Sequence, residues 1–174
     1  KAHELASKVG FKVFLILLGE QSKEMAASFY PYGADIVYTY EDISLNHFDM
    51  ERYTSILYTF IQTYKPSIIL VGGTPLGRSL APRTAARVKT GLTADCTQLD
   101  IQTTTDLDQI RPAFGGNVMA HIRTPYHRPQ FATVRYKIFS AMEPDAKRTG
   151  ETILGELPKD LSSHCKHIRT EVMP

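Results

Sequence analysis

At 174 residues, with 43% apolar and 22% charged side chains, the chain is long enough to bury a real core and has the composition of one ordinary globular domain. A net charge of +2 without a basic cluster gives no footprint for nucleic acid, and no apolar run approaches the ~18 residues of a membrane span. Two cysteines, Cys96 and Cys165, are too few for a disulfide framework; Cys96 sits in an apolar run, which suits a reducing, cytoplasmic compartment (the mitochondrial matrix in a eukaryote). The chain opens on KAHELASKVG, already helical in character, and is expected to be a piece of a longer product. Residues 1–9 are predicted helical, stopped by Gly10. FKVFLILLG (11–19) is a strand-length apolar run, SKEMAASFYPYGAD holds a short helix ending near Gly33, and DIVYTY (35–40) is a second strand. Met50, Tyr53, Ile56, Leu57, Phe60, Ile61 and Tyr64 recur at helical spacing, which predicts a helix over 49–65 stopped by Pro66. SIILVGG (67–73) is a third strand and 79–89 a further helix. Apolar strands alternating with amphipathic helices imply an α/β fold: a Rossmann-like, three-layer arrangement around a parallel sheet.

After Thr90 the pattern changes. Residues 92–101, 116–124 and 130–139 are strand-like, separated by TTTD, FGG and TPYHRP, and no helix fits between 92 and 139. An antiparallel meander added to the parallel sheet is expected. Residues 143–174 are polar and broken by Pro and Gly, so the folded unit is expected over 1–142, followed by a tail or linker toward another domain.

The run GGTPLGRS, from Gly72 through Gly73, Thr74, Gly77 and Arg78 to Ser79, matches a phosphate loop except that Arg78 replaces lysine. A guanidinium fork cannot sit as a compact ammonium does. With Ser79 as helix cap, Pro82 would also remove a first-turn N–H donor, and no apolar run ending in Asp offers a magnesium partner. The preferred reading is a glycine-rich strand-to-helix turn, at the sheet edge where open α/β folds bind ligands. The alternative is a free-standing adenine-nucleotide-binding domain. Asp95, a charge inside the apolar LTADCT, calls for a partner; strict alternation places it with Thr93 and Thr97, and Arg78, Arg83 and Arg87 are the nearest candidates for a structural ion pair. His164, Cys165 and His167 cluster in SSHCKHIR but lack the paired spacing of a zinc site, so no metal is expected. Cys96 reads as a buried hydrophobe. In RPAFGGN, Arg111 and the Gly115–Gly116 pair suit either a partner-facing turn or a plain hairpin reversal.

The ordered motifs GRSLAPRTAAR, TGLTADCT and RPAFGGN, followed by PQFATVR, resemble the alpha subunit of electron-transfer flavoproteins over roughly residues 1–145. The resemblance implies an N-terminal domain of adenine nucleotide alpha hydrolase-like fold, lacking its first strand, in a heterodimer with a beta subunit. It implies electron transfer from flavin dehydrogenases, such as the acyl-CoA dehydrogenases of fatty acid oxidation, to a downstream acceptor, with the protein a carrier and not an enzyme. It places FAD in a second, C-terminal domain, so FAD is expected in the full-length protein and absent from this fragment. No catalytic residue and no cofactor-binding residue in this stretch follows from it.

Overall fold

The computed structural model describes residues 1–171. Helix α1 (Ala2–Val9) ends on Gly10 at φ 70°, a left-handed C-cap that glycine adopts without a Cβ penalty. Strand β1 (Phe14–Leu18) leads to a single α-helical turn, α2 (Ser22–Met25), continued as a 3₁₀ segment over Ala26–Tyr32 and closed by Gly33 at φ 97°. Strand β2 (Ile36–Tyr40) follows. Helix α3 (Met50–Tyr64) is capped by Asp49, whose Oδ1 accepts from the N–H groups of Glu51 (2.9 Å) and Arg52 (3.0 Å). Its buried residues are Thr54, Ile56, Leu57, Phe60 and Ile61. Lys65 in the left-handed region ends it, one residue before Pro66.

Strand β3 (Ile68–Gly72) runs into α4 (Pro75–Arg87). This helix starts four residues before the expected Ser79, because Thr74 and not Ser79 is the cap: its hydroxyl accepts from Gly77 N–H at 3.1 Å, and Pro75 takes the first helical position. Pro82 therefore lies inside the helix, beyond the first turn. The run expected as one strand over 92–101 is two, β4 (Leu92–Cys96) and β5 (Gln98–Ile101), with a break at Thr97. A strand the pattern did not suggest, β6 (Leu107–Ala113), pairs antiparallel with β5 and with β7 (Val118–Ile122), and a 3₁₀ turn at Phe114–Gly116 joins β6 to β7. Strand β8 (Gln130–Val134) is shorter than the expected 130–139.

Among the described residues there are three sheets, each of three strands: β1–β2–β9 and β3–β8–β4, both parallel, and the antiparallel β5–β6–β7. Strand β9 (Glu151–Leu154) comes from the segment expected as tail or linker. It pairs with β2, bounded by Glu151 N–H to Asp35 O (3.1 Å) and Gly155 N–H to Thr39 O (2.8 Å). Beyond it Leu157 and Leu161 pack on the Tyr38–Tyr40–Leu45–Ile56–Phe60 cluster, and Arg52 Nε donates to Leu161 O at 3.1 Å. The β3–β8–β4 sheet is buried around Phe131 and Ala132 in its middle strand, with α4 on one face through Ala81 and Ala85. Leu5 of α1 joins Cys96, Leu99, Ile101 and Leu107 in a second cluster around Ala132. Each such fully buried aliphatic or aromatic side chain contributes roughly 1.5–3 kcal/mol of hydrophobic free energy. Among the described residues no helix is long and apolar enough to cross a membrane.

Candidate functional site

Three parallel strands end side by side. Gly72 closes β3, Val134 closes β8 and Cys96 closes β4, and the ladder continues past them through Gly73 N–H to Val134 O (2.7 Å) and Arg135 N–H to Cys96 O (3.0 Å). This carboxyl edge is where α/β sheets place ligands, and the glycine-rich turn, Asp95 and Arg135 all lie on it.

The turn itself is closed by its own residues. A Cβ on Gly77 would overlap the carbonyl oxygen of Gly72 and press Val71, and one on Gly73 would come within 2.8 Å of Val134 O. The two glycines are needed because α4 starts directly against the ends of β3 and β8. Of the donors a phosphate would use, Pro75 has no N–H and Gly77 N–H is taken by Thr74. Ser79, the magnesium-binding position of a phosphate loop, turns its hydroxyl back to Pro75 O at 3.1 Å. Arg78 Nε donates to Gly73 O at 2.9 Å, which holds the guanidinium down against the turn.

Asp95 is the centre of the edge. The register between β4 and β8 shifts between Thr93 and Cys96, and Asp95 occupies the bulge at φ 62°. Aspartate tolerates this left-handed conformation better than most residues. Its N–H donates to Thr133 Oγ1 at 2.8 Å. The bulge overturns the alternation assumed from sequence: Thr93 and Cys96 are both buried, Ala94 is exposed and Asp95 is half-buried. Arg135, just past β8, grips the carboxylate with both arms, Nε to Oδ1 at 3.1 Å and Nη2 to Oδ2 at 2.6 Å. Arg78 Nη2 lies 3.9 Å from Oδ1.

Arg83 and Arg87, expected as partners of Asp95, point elsewhere. Both lie on the face of α4 turned to α3, where Arg83 reaches Glu51 at 3.4 Å and Arg87 stacks 4.5 Å over the Tyr58 ring. Arg135 was the residue sequence reasoning missed, because its partnership spans forty positions and only the β4–β8 pairing brings it near. The Arg135 guanidinium holds the Asp95 carboxyl below the usual carboxylate range; partial burial opposes this, and the fields of Arg135, Arg78 and Arg111 reinforce it. Burial pushes the neighbouring Cys96 thiol up to about 11, so it is a protonated core residue at neutral pH and no nucleophile.

His164, Cys165 and His167 do not converge. His164 pairs with Glu51 through its backbone N–H (2.8 Å) and ring Nδ1 (3.1 Å), His167 stacks on His47 with centroids 3.6 Å apart, and Cys165 is exposed. Among the described residues no group of three or more His, Cys, Asp or Glu side chains is placed to hold a metal ion.

The sequence matches the electron transfer flavoprotein domain family over residues 1–159. The chain belongs to the electron transfer flavoprotein family. It is 51% identical over 159 residues to the lactate dehydrogenase (NAD(+),ferredoxin) subunit LctC of Acetobacterium woodii, covering 91% of this chain and 38% of that protein. It is 40% identical over 173 residues to the electron transfer flavoprotein subunit alpha of Thermoanaerobacterium thermosaccharolyticum, covering 99% of this chain and 51% of the relative. It is also 40% identical to the protein FixB of Azorhizobium caulinodans, over 91% of this chain and 44% of the relative. The chain thus spans about half or less of the length of these relatives, and it matches the N-terminal part of the alpha-subunit and FixB relatives.

Proposed function

We propose that this chain is the N-terminal domain of an alpha-type electron transfer flavoprotein subunit that braces a flavin-binding domain and a beta-type subunit and holds no nucleotide itself. The observation that carries this is the turn at 73–79, which has the residue spacing of a nucleotide loop but turns its Gly77 N–H, its Arg78 Nε and its Ser79 hydroxyl onto the protein. FAD supplies the electron chemistry when bound, and the described residues at this edge do not fit it: Pro75 has no N–H, Gly77 N–H is taken by Thr74, and the Ser79 hydroxyl turns back to Pro75 O. Under this reading FAD sits in a second domain beyond residues 143–171, and the assembled heterodimer passes electrons from a flavin dehydrogenase to a downstream acceptor.

Family resemblance supports acyl-CoA dehydrogenases as donors. The 51% identity to a lactate dehydrogenase subunit favours a second reading, in which the donor is a 2-hydroxy-acid dehydrogenase. The test uses the full-length protein purified with its beta-type subunit. Its absorption spectrum is expected to show bound flavin, bleached by one dehydrogenase–substrate pair and not the other, whereas residues 1–174 alone purify colourless. Stoichiometric flavin that stays with residues 1–174 through gel filtration overturns the assignment of this domain.

A further inference from the structure

We propose that His3, Arg148 and Asp35 form an acid-sensitive latch that holds β9 on the edge of β2. The inference goes beyond the proposed function and stands without the flavin or a partner subunit.

Strand β9 has little apolar grip of its own. Glu151, Thr152 and Leu154 are exposed, and only Ile153 is half-buried. Its position is set at its start. Arg148 Nη2 donates to Asp35 Oδ1 at 2.9 Å, and three residues on Glu151 N–H donates to Asp35 O at 3.1 Å. One aspartate thus takes both the side chain and the backbone of the incoming segment. The other arm of Arg148, Nη1, lies 3.1 Å from Nε2 of His3 on α1. His3 is seated directly on Gly33, where a Cβ would come within 2.6 Å of its own Cβ, and Met142 packs at the same spot. Helix α1, the turn into β2 and the segment after 142 therefore meet at this contact.

The contact fixes the protonation of His3. A guanidinium can only donate, so Nε2 accepts, and the ring is neutral with its proton on Nδ1. A proton on Nε2 removes the acceptor and sets two cations against each other. The other charges on the elements that meet here do not offset this. Asp35 is shared between Arg148 and Val13 N–H (2.7 Å), Glu4 is held by Lys1 (2.7 Å), and Asp145 accepts from Lys147 N–H (3.0 Å). Histidine is the side chain whose ordinary titration falls between about pH 5 and 8. Docking of β9 is thus favoured while His3 is neutral and is lost as the ring takes a proton. At residue 164 the response is opposite: His164 Nδ1 meets Glu51 at 3.1 Å, a contact that protonation strengthens.

Hydrogen exchange of the full-length protein, read by mass spectrometry at about pH 7.5 and about pH 5.5 and corrected for intrinsic rates, tests this. The bonded amides of residues 151–155 are expected to lose about tenfold in protection at the lower pH, as the loss of one hydrogen bond to a charged group implies. Residues 130–134 of β8 and residues 161–164 keep theirs. His3→Gln, with a neutral amide oxygen in place of the ring nitrogen, is expected to hold β9 at both pH values. His3→Lys, a permanent cation, leaves residues 151–155 weakly protected at both. Arg148→Gln does the same from the other side of the contact and removes the pH dependence, so the test does not hang on the folding of α1 variants. Wild-type protection at 151–155 that ignores pH overturns the latch. So does a pH-dependent loss that persists in His3→Gln or Arg148→Gln, or one that is equally large in β8 and marks general unfolding.

Discussion

Asp95 combines two effects that mutation can separate. Its carboxylate accepts two hydrogen bonds from Arg135, and its backbone sits at φ 62° in the β4 bulge. The Asp95 and Arg135 side chains are 30% and 40% exposed, so water screens the pair and its worth falls below that of a buried bridge. Alanine at this position loses the pair and keeps a left-handed Cβ without the aspartate side chain that eases it; glycine loses the pair but is relieved of that Cβ. Urea unfolding is therefore expected to rank wild type above Asp95→Gly and Asp95→Gly above Asp95→Ala, the last two separated by about 1 kcal/mol. Equal stability of the two variants would contradict the bulge conformation. The pH dependence follows from the lowered carboxyl. A carboxylate depressed in the folded state stabilises above its unfolded value, and that stabilisation drains away as pH falls through the folded value. The gap between wild type and Asp95→Asn should thus be full at neutral pH and shrink on acidification below about pH 4.

At the scale of elements, α4 and its turn show how close packing can take over a nucleotide-type loop. Gly77 meets the Gly72 carbonyl with no room for a methyl group, and that neighbour is backbone, which cannot swing aside. Gly77→Ala is expected to cost about 3 kcal/mol or more, at the upper end of overpacking. Thr74→Ala, which removes only the hydroxyl that caps Gly77 N–H, should cost about 1 kcal/mol. Neither ATP nor AMP should raise the melting temperature of the wild type. A ligand at a hundredfold excess over its Kd would add about 2.7 kcal/mol, so a concentration-dependent rise abolished by Arg78→Ala would revive a nucleotide site. Much of this element order is legible from periodicity: α1, α3, β2 and β3 have clean apolar patterns. Strand β6 is not, because LDQIRPA carries a fully buried glutamine, a buried aspartate and a proline where alternation demands a simple pattern. Asp108 is tolerated there because His121 of β7 (3.0 Å) and Arg123 just past its end (3.5 Å) meet it, a cross-strand arrangement with no local signature. The start of α4 was misplaced because Ser79 and Thr74 are both good caps, and only packing against β3 decides between them. At the candidate site the turn and Asp95 were legible, while Arg135 was not, since its role depends on strand order.

At the scale of the whole molecule, residues 148–161 of the segment after 142 are part of the packed structure. Strand β9 covers the edge of β2, and Ile153, Leu157 and Leu161 rest on the cluster of Tyr38, Tyr40, Leu45, Ile56 and Phe60. The approach is close: a Cβ on Gly150 would strike the Tyr30 ring, and one on Gly155 the Tyr40 ring. Arg148 ties the segment's start to Asp35 at 2.9 Å, and Tyr30 is hydrogen-bonded to Thr152. A chain cut after Met142 would bare the β2 edge and uncover part of the tyrosine cluster. The three aliphatic side chains are only partly buried, so each contributes less than the ~1.5–3 kcal/mol of full burial, and the entropy of fixing the segment offsets some of that. A net loss of about 2 kcal/mol is expected for residues 1–142 relative to 1–171. It should appear as a lower urea midpoint with a smaller slope, because less surface is exposed on unfolding. Gly155→Leu in the longer chain should lose part of the same stability by pushing β9 off Tyr40. If the truncated chain unfolds at the same midpoint as the longer one, β9 adds nothing to the fold and the segment acts as a simple tether.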